Sequence, residues 1–150
     1  MSLKSRLETD MKAALKARDT EKLGVIRMAL AAVKQREIDS DSRDGLSDTE
    51  AFGVIERMIK QRHEAADQFR AGGREESAQK EEREAKLLGE YLPEPVDSET
   101  LDAEIAGVVR ETGAASRRDM GKVMGLLKAR LAGRADMGEV SRRVREKLGD

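Results

Sequence analysis

Both prolines of this 150-residue chain stand in one tripeptide, Pro93-Glu94-Pro95. Each proline fixes its own φ and disfavours helix in the residue before it, so no continuous helix passes this point. On either side apolar residues recur three and four apart, and alternating β-branched runs are absent. The pattern predicts an all-α chain with two lobes. The first, residues 1–92, is a helical N-terminal lobe of about four helices with a long helical hairpin. The second, residues 96–150, is a C-terminal three-helix lobe.

In the first lobe Leu3, Leu7, Met11, Ala14 and Leu15 make one apolar stripe. Asp19-Thr20 opens a second helix, with Leu23, Ile26, Leu30, Val33 and Ile38 inward, and a polar loop follows over residues 39–45. Ser47-Asp48-Thr49-Glu50 has the form of a capping box. The third helix then runs through Phe52, Ile55, Met58, Ile59, His63, Ala66 and Phe69 to Gly72-Gly73, where glycine suits a helix end. The fourth is charged from Arg74 to Lys86 and apolar at Leu87, Leu88, Tyr91 and Leu92.

Beyond the prolines, Asp97 or Ser98 caps a fifth helix carrying Leu101, Ile105, Val108 and Val109, and Gly113 ends it. The sixth starts at residues 116–119, with Met120, Val123, Met124, Leu127 and Leu131 inward. Residues 133–136 turn into a seventh with Val140, Val144 and Leu148 inward.

Leu, Ile, Val and Phe make up only 20% of the residues, near the range of disordered chains. Disorder also needs high net charge, and 29 basic residues here offset 30 acidic ones. With two Phe, one Tyr and no Trp, the core is expected to be aliphatic and thin. Absence of cysteine excludes disulfides and thiolate chemistry. No apolar run approaches the roughly 20 residues that span a bilayer, so no membrane partner is expected. The N-terminus lacks the apolar core of a signal peptide, and Glu8 and Asp10 come too early for an acid-poor presequence. A cytoplasmic location is therefore the expectation.

Catalytic constellations are hard to assemble. His63-Glu64 resembles half of a zinc-protease helix, but the second histidine needed four residues on is Asp67. One histidine without cysteine does not close a zinc site, so no metal and no cofactor are expected. Glu75-Glu76, Glu81-Glu82 and Glu84 lie on a charged helix, where pairs such as Glu76 with Lys80 and Glu82 with Lys86 are the ordinary arrangement. No serine sits in a nucleophile elbow, and neither glycine-rich phosphate fingerprint occurs. Gly121 and Gly125 are expected to admit a neighbouring helix at close approach.

Charge is uneven in the second lobe. Residues 94–115 hold six acids and one base, whereas residues 116–149 hold ten bases and four acids. Arg117, Arg118 and Lys122 fall near the start of the sixth helix, Lys128, Arg130 and Arg134 near its end, and Arg142, Arg143, Arg145 and Lys147 on the seventh. Such a surface suits phosphate backbones. Without an aromatic residue in this lobe for stacking, it suits the shape of a folded RNA better than unpaired bases.

The string Asp119-Met120-Gly121-Lys122-Val123-Met124-Gly125, followed by Gly133-Arg134-Ala135-Asp136 and Val140, resembles the tail of the GatB/YqeY family. Ile26-Arg27-Met28, residues 32–38, Lys60-Gln61-Arg62, residues 70–74 and Leu92-Pro93-Glu94 extend the likeness, so the whole chain resembles the stand-alone YqeY-like branch. That family takes part of its name from the B subunit of a tRNA-dependent amidotransferase, whose related tail helps hold tRNA. The resemblance implies a tRNA-associated binding protein, partnered by tRNA or by an amidotransferase or other tRNA-handling protein. It singles out Lys122, Gly133 and Arg134 as contacts; Arg117 and Arg118 join them on charge. It also implies a label of carbon–nitrogen ligase with glutamine as amido-N-donor, although this chain lacks the B subunit's kinase-like catalytic domain. The competing expectation is a protein–protein adaptor that uses the hairpin between Ser47 and Leu92.

Overall fold

Side chains that accept a helix's orphan N–H groups decide where most elements begin. In the computed structural model, which describes residues 2–41 and 45–149, Ser2 accepts from the Ser5 amide and starts α1 (Leu3–Ala17). Asp19 does the same for α2 (Thr20–Ser40) through the Lys22 amide, and Ser47 for α3 (Asp48–Ala71) through Glu50. Helix α4 spans Glu75–Gly89. Asp97 is the cap of α5 (Ser98–Thr112), accepting from Thr100 at 2.7 Å. A 3-10 turn, Arg117–Asp119, leads into α6 (Met120–Leu131), and Asp136 caps α7 (Met137–Leu148). The chain is thus all-α: the described residues hold seven α-helices and no strand, and none of these helices is long and apolar enough to cross a membrane. Ser42, Arg43 and Asp44 of the expected polar loop lie outside the described residues.

Two compact units result, Met1–Leu92 and Pro93–Asp150. In the first, α1 and α2 form one hairpin, turned by Arg18 in the left-handed conformation, and α3 and α4 form a second. Gly72-Gly73 turns the second hairpin: Gly73 has φ +73°, and the Arg74 amide reaches back to the Phe69 carbonyl at 2.8 Å. The core is built from Leu3, Leu7, Ile26, Leu30, Val33, Ile55 and Leu88. Ala29, Ala51, Ala66, Ala78 and Ala85 are buried where helices approach, a part played by small residues that apolar spacing alone does not reveal.

Three sequence expectations change here. Leu15 and Ile38 are 58% and 71% exposed, because each sits one step round its helix from the buried stripe. Glu82 pairs with Arg70 across the α3–α4 hairpin rather than with Lys86, and the other nitrogens of the same guanidinium bind Glu75. Helix α4 stops at Gly89, and Tyr91 lies in the turn that follows. There its ring is buried beneath the Arg6 guanidinium, 5.1 Å from the centroid, and its hydroxyl donates to Asp10 at 2.5 Å. Burial and the Asp10 carboxylate both push the Tyr91 phenol up, so it stays protonated and clamps α1 to the end of the hairpin.

The second unit packs Leu101, Ile105 and Val108 of α5 against Val123, Leu127 and Leu131 of α6 and Val140, Val144 and Leu148 of α7. Gly133 closes the α6–α7 corner at φ +74°, a conformation that disfavours a side chain. The next residue, Arg134, accepts the Val96 amide at its carbonyl (2.9 Å) and donates from Nε to the Glu94 carbonyl (3.2 Å). The segment after the prolines is thereby stitched to this corner.

With one tyrosine and no tryptophan, intrinsic fluorescence reads the first unit alone. Leu88→Ala should lower the unfolding free energy followed at Tyr91 in urea by about 2–5 kcal/mol. An unchanged midpoint would show that Leu88 is not part of a close-packed core.

Candidate nucleic-acid interface

The bases of the second unit divide by what they already touch. On α7, Arg143 is largely covered and binds Glu139 (2.8 Å), Asp102 of α5 (2.9 Å) and the Ser98 carbonyl (3.1 Å). Arg142 binds the same Glu139 and also Glu146 at 2.7 Å. Arg130, at the end of α6, pairs with Glu111 of α5 at 2.6 Å. Arg134 is engaged by the Glu94 carbonyl. The acidic α5 and the basic helices therefore neutralise one another in part, which residue counts along the chain cannot show.

Among the described residues Arg110 on α5, Arg145 and Lys147 on α7, and three cations around α6 remain exposed without an ion pair. Arg118, Lys122 and Lys128 are exposed and form no ion pair with the described residues. Arg117 is exposed beside them. The 3-10 turn that places Arg117 and Arg118 is held by a complete reciprocal box, with Ser116 accepting from the Arg118 amide and Asp119 accepting from the Ala115 (2.9 Å) and Ser116 (3.4 Å) amides. Those two backbone bonds, with Lys122 and Arg118 nearby, hold the Asp119 carboxyl below its ordinary range. Its negative charge is thus committed to the cap that orients the cations around it.

Between the cations α6 exposes the small residues Gly121, Gly125 and Ala129, with Leu126 38% exposed beside them. Val123, Leu127 and Leu131 are buried, so residues two away from them, Gly121, Gly125 and Ala129, lie on the opposite face and are exposed. A Cβ added at Gly121 or Gly125 would meet nothing within 4 Å. The expected neighbouring helix is therefore absent from the described residues: these glycines face out, because their spacing runs with Arg118 and Lys122 rather than with the core stripe. The signal was present in the sequence as a second row, 118–122–125–129, stepping by four, three and four and out of phase with 123–127–131.

The structure offers no counterpart to this surface in buried chemistry. Among the described residues no polar or charged side chain is buried, and no group of three or more His, Asp or Glu could hold a metal ion. His63 is exposed on α3.

Glu139 supplies a pH signature for the arginine cluster within α7. Hydrogen bonds from Arg142 and then Arg143 hold its carboxyl down to about 2, against an ordinary value of 4.5. A carboxylate depressed on folding stabilises above its unfolded pKa and loses that stabilisation as pH falls through the folded value. The wild-type chain should therefore lose stability between pH about 4.5 and about 2, and Glu139→Gln should reduce that slope in urea titrations followed by far-ultraviolet circular dichroism. Equal slopes in the two proteins would show that this ion pair does not stabilise the fold.

Comparison with known proteins shows the family of the chain. The model of the Yqey-like protein family matches residues 4–148. The chain is similar to a protein of Eremothecium gossypii named "Altered inheritance of mitochondria protein 41, mitochondrial", 34% identical over 88 residues, 59% of this chain and 48% of that one. A Kluyveromyces lactis protein of the same name is 33% identical over 107 residues, covering 70% and 57% of the two chains. A third, from Pyrenophora tritici-repentis, is 28% identical over 146 residues, covering 96% and 80%. The chain spans about half the length of the first of these relatives. Their names overturn the cytoplasmic expectation. The match across 4–148, carried by both helical units, makes this chain a member of the Yqey-like protein family.

Proposed function

We propose that the chain is a tRNA-binding protein without a catalytic site of its own, and that the outer face of α6 is its contact with the phosphate backbone. One observation carries this reading: unpaired cations, Arg118, Lys122 and Lys128, flank a strip of small residues, Gly121, Gly125 and Ala129. Lysine and arginine attract phosphates at any sequence, and a helix surface of small residues lets a sugar–phosphate strand lie close against it. No aromatic side chain interrupts the unit, so the contact reads backbone shape rather than stacked bases. The family resemblance to an amidotransferase tail that helps hold tRNA points the same way. Lys122 belongs to this surface. Arg130, Arg134 and Arg143 support it by tying segments of the unit together, while Arg142 is held within α7 by Glu139 and Glu146.

An adaptor role through the α3–α4 hairpin has less to build on. The exposed large apolar residues are Leu15, Met28, Ile38 and Leu126, none of them on that hairpin.

The test is a mobility shift with bulk tRNA. Binding should weaken by on the order of tenfold or more between about 50 and about 200 mM salt. The triple reversal Arg118→Glu, Lys122→Glu, Lys128→Glu should abolish it, whereas Lys12→Glu, Lys16→Glu, Arg57→Glu in the first unit should leave it nearly intact. Absence of any shift at low salt, or equal loss in both triple variants, would overturn the reading.

A further inference from the structure

Helix α2 is apolar on two sides. Its inner side, Leu23, Ile26, Leu30 and Val33, fills the core of the first unit. Its outer side carries Gly24, Met28, Ala31, Gln35 and Ile38, all exposed, with Met28 at 51% and Ile38 at 71%. These five positions step by four, three, four and three residues, the spacing of a coiled-coil seam, along about 21 Å of helix. A cation edges the seam at each heptad, Arg27 and Lys34, both exposed and without an ion pair among the described residues. The opposite edge turns inward: Val25 is buried and Ala32 partly so. Along that side the Arg62 guanidinium contacts the Met28 sulfur at 3.2 Å and is itself neutralised by Glu81 and Glu84. The carboxylates on α2 near the seam's end are occupied, Glu37 by Lys4 and Asp39 by the Gln35 amide.

We infer that this outer face of α2 is a docking seam for an acidic amphipathic helix of another protein. The apolar row demands an apolar partner face, and seam spacing demands a helix that presents one. Free cations on the solvent-facing edge formed by Arg27 and Lys34 select carboxylates on that partner's flank. A second copy of this chain is a poor occupant. With one edge turned into the protein, two copies meet through the same exposed edge, which sets Arg27 and Lys34 against their own counterparts, and like charges on facing helices repel. A phosphate backbone fits no better, because phosphates laid on Ile38 and Met28 would lose water without gaining a hydrogen-bond donor. The seam is in the first unit, so this inference stands apart from the tRNA reading.

The test uses the full chain and a labelled 21-residue helical peptide of about three heptads, with leucine at the seam positions and glutamate at the flanks, kept at tracer concentration. A twin peptide carries lysine in place of each glutamate. Fluorescence anisotropy should show binding of the acidic peptide and at least about tenfold weaker binding of the twin. Ala31→Arg and, separately, Ile38→Asp should each cost the acidic peptide about tenfold or more. The double variant Arg27→Glu, Lys34→Glu should shift the preference to the lysine twin. All these sites are exposed, and far-ultraviolet circular dichroism should show unchanged helix content. Equal binding of both peptides, binding of neither, or indifference to Ala31→Arg would overturn the inference. So would a wild-type dimer in sedimentation that Ala31→Arg splits, which assigns the seam to a second copy. Loss of tRNA retention in the seam variants, with no peptide binding, would assign it to RNA and overturn it equally.

Discussion

The corner at Gly133-Arg134 is the constraint on which the second unit depends. Gly133 turns the chain at φ +74°, and Arg134 then holds the segment after the prolines by its carbonyl on the Val96 amide and its guanidinium on the Glu94 carbonyl. A backbone amide and a carbonyl that would otherwise need water are satisfied inside the unit. With the entry to α5 fixed in this way, α5 can lie along α6 and α7. Arg130 and Arg143 then reach Glu111 and Asp102, and an aliphatic core of nine buried residues is enclosed. A core that small sits near the lower limit for an independent fold, so surface ties of this kind carry more weight than they would in a larger domain.

The same ties decide which cations are available for function. A helix with several arginines looks uniformly basic as a string, yet Arg142 and Arg143 are held by Glu139 and Arg143 also by Asp102. Cations held in hydrogen-bonded pairs are poorer ligands for phosphate than cations standing in water, because the existing partner has to be displaced first. On α6 three such cations, Arg118, Lys122 and Lys128, stand beside the small residues Gly121, Gly125 and Ala129.

Much of this architecture was legible from apolar spacing. The prolines at 93 and 95 mark where the structure changes from one compact unit to the other, and the core residues of α5, α6 and α7 fall on the expected stripes. Capping chemistry was partly legible: Ser47 does accept the Glu50 amide, while the complete reciprocal box lies at Ser116 and Asp119. What escaped was what periodicity does not encode. Leu15 and Ile38 fit a permissive stripe but sit at its edge, and their exposure follows from which helix lies alongside. Pairings between helices, such as Arg70 with Glu82 and Tyr91 with Asp10, depend on tertiary placement and have no local signature. Gly121 and Gly125 were read for their size when their phase against Val123 and Leu127 was the informative quantity. Compartment was the furthest from the residues, and the names of the relatives rather than any local pattern corrected it.

The most direct measurement is a titration of the isotope-labelled full chain with tRNA, read by amide chemical shifts. Gly121 and Gly125 have backbone amides on this strip, and their resonances fall in a sparsely populated region of the spectrum. The account predicts that these two amides, with those of Arg118 and Lys122, shift or broaden first and recover on adding salt. Shifts confined to α2 or the α3–α4 hairpin, with Gly121 and Gly125 unmoved, would contradict it.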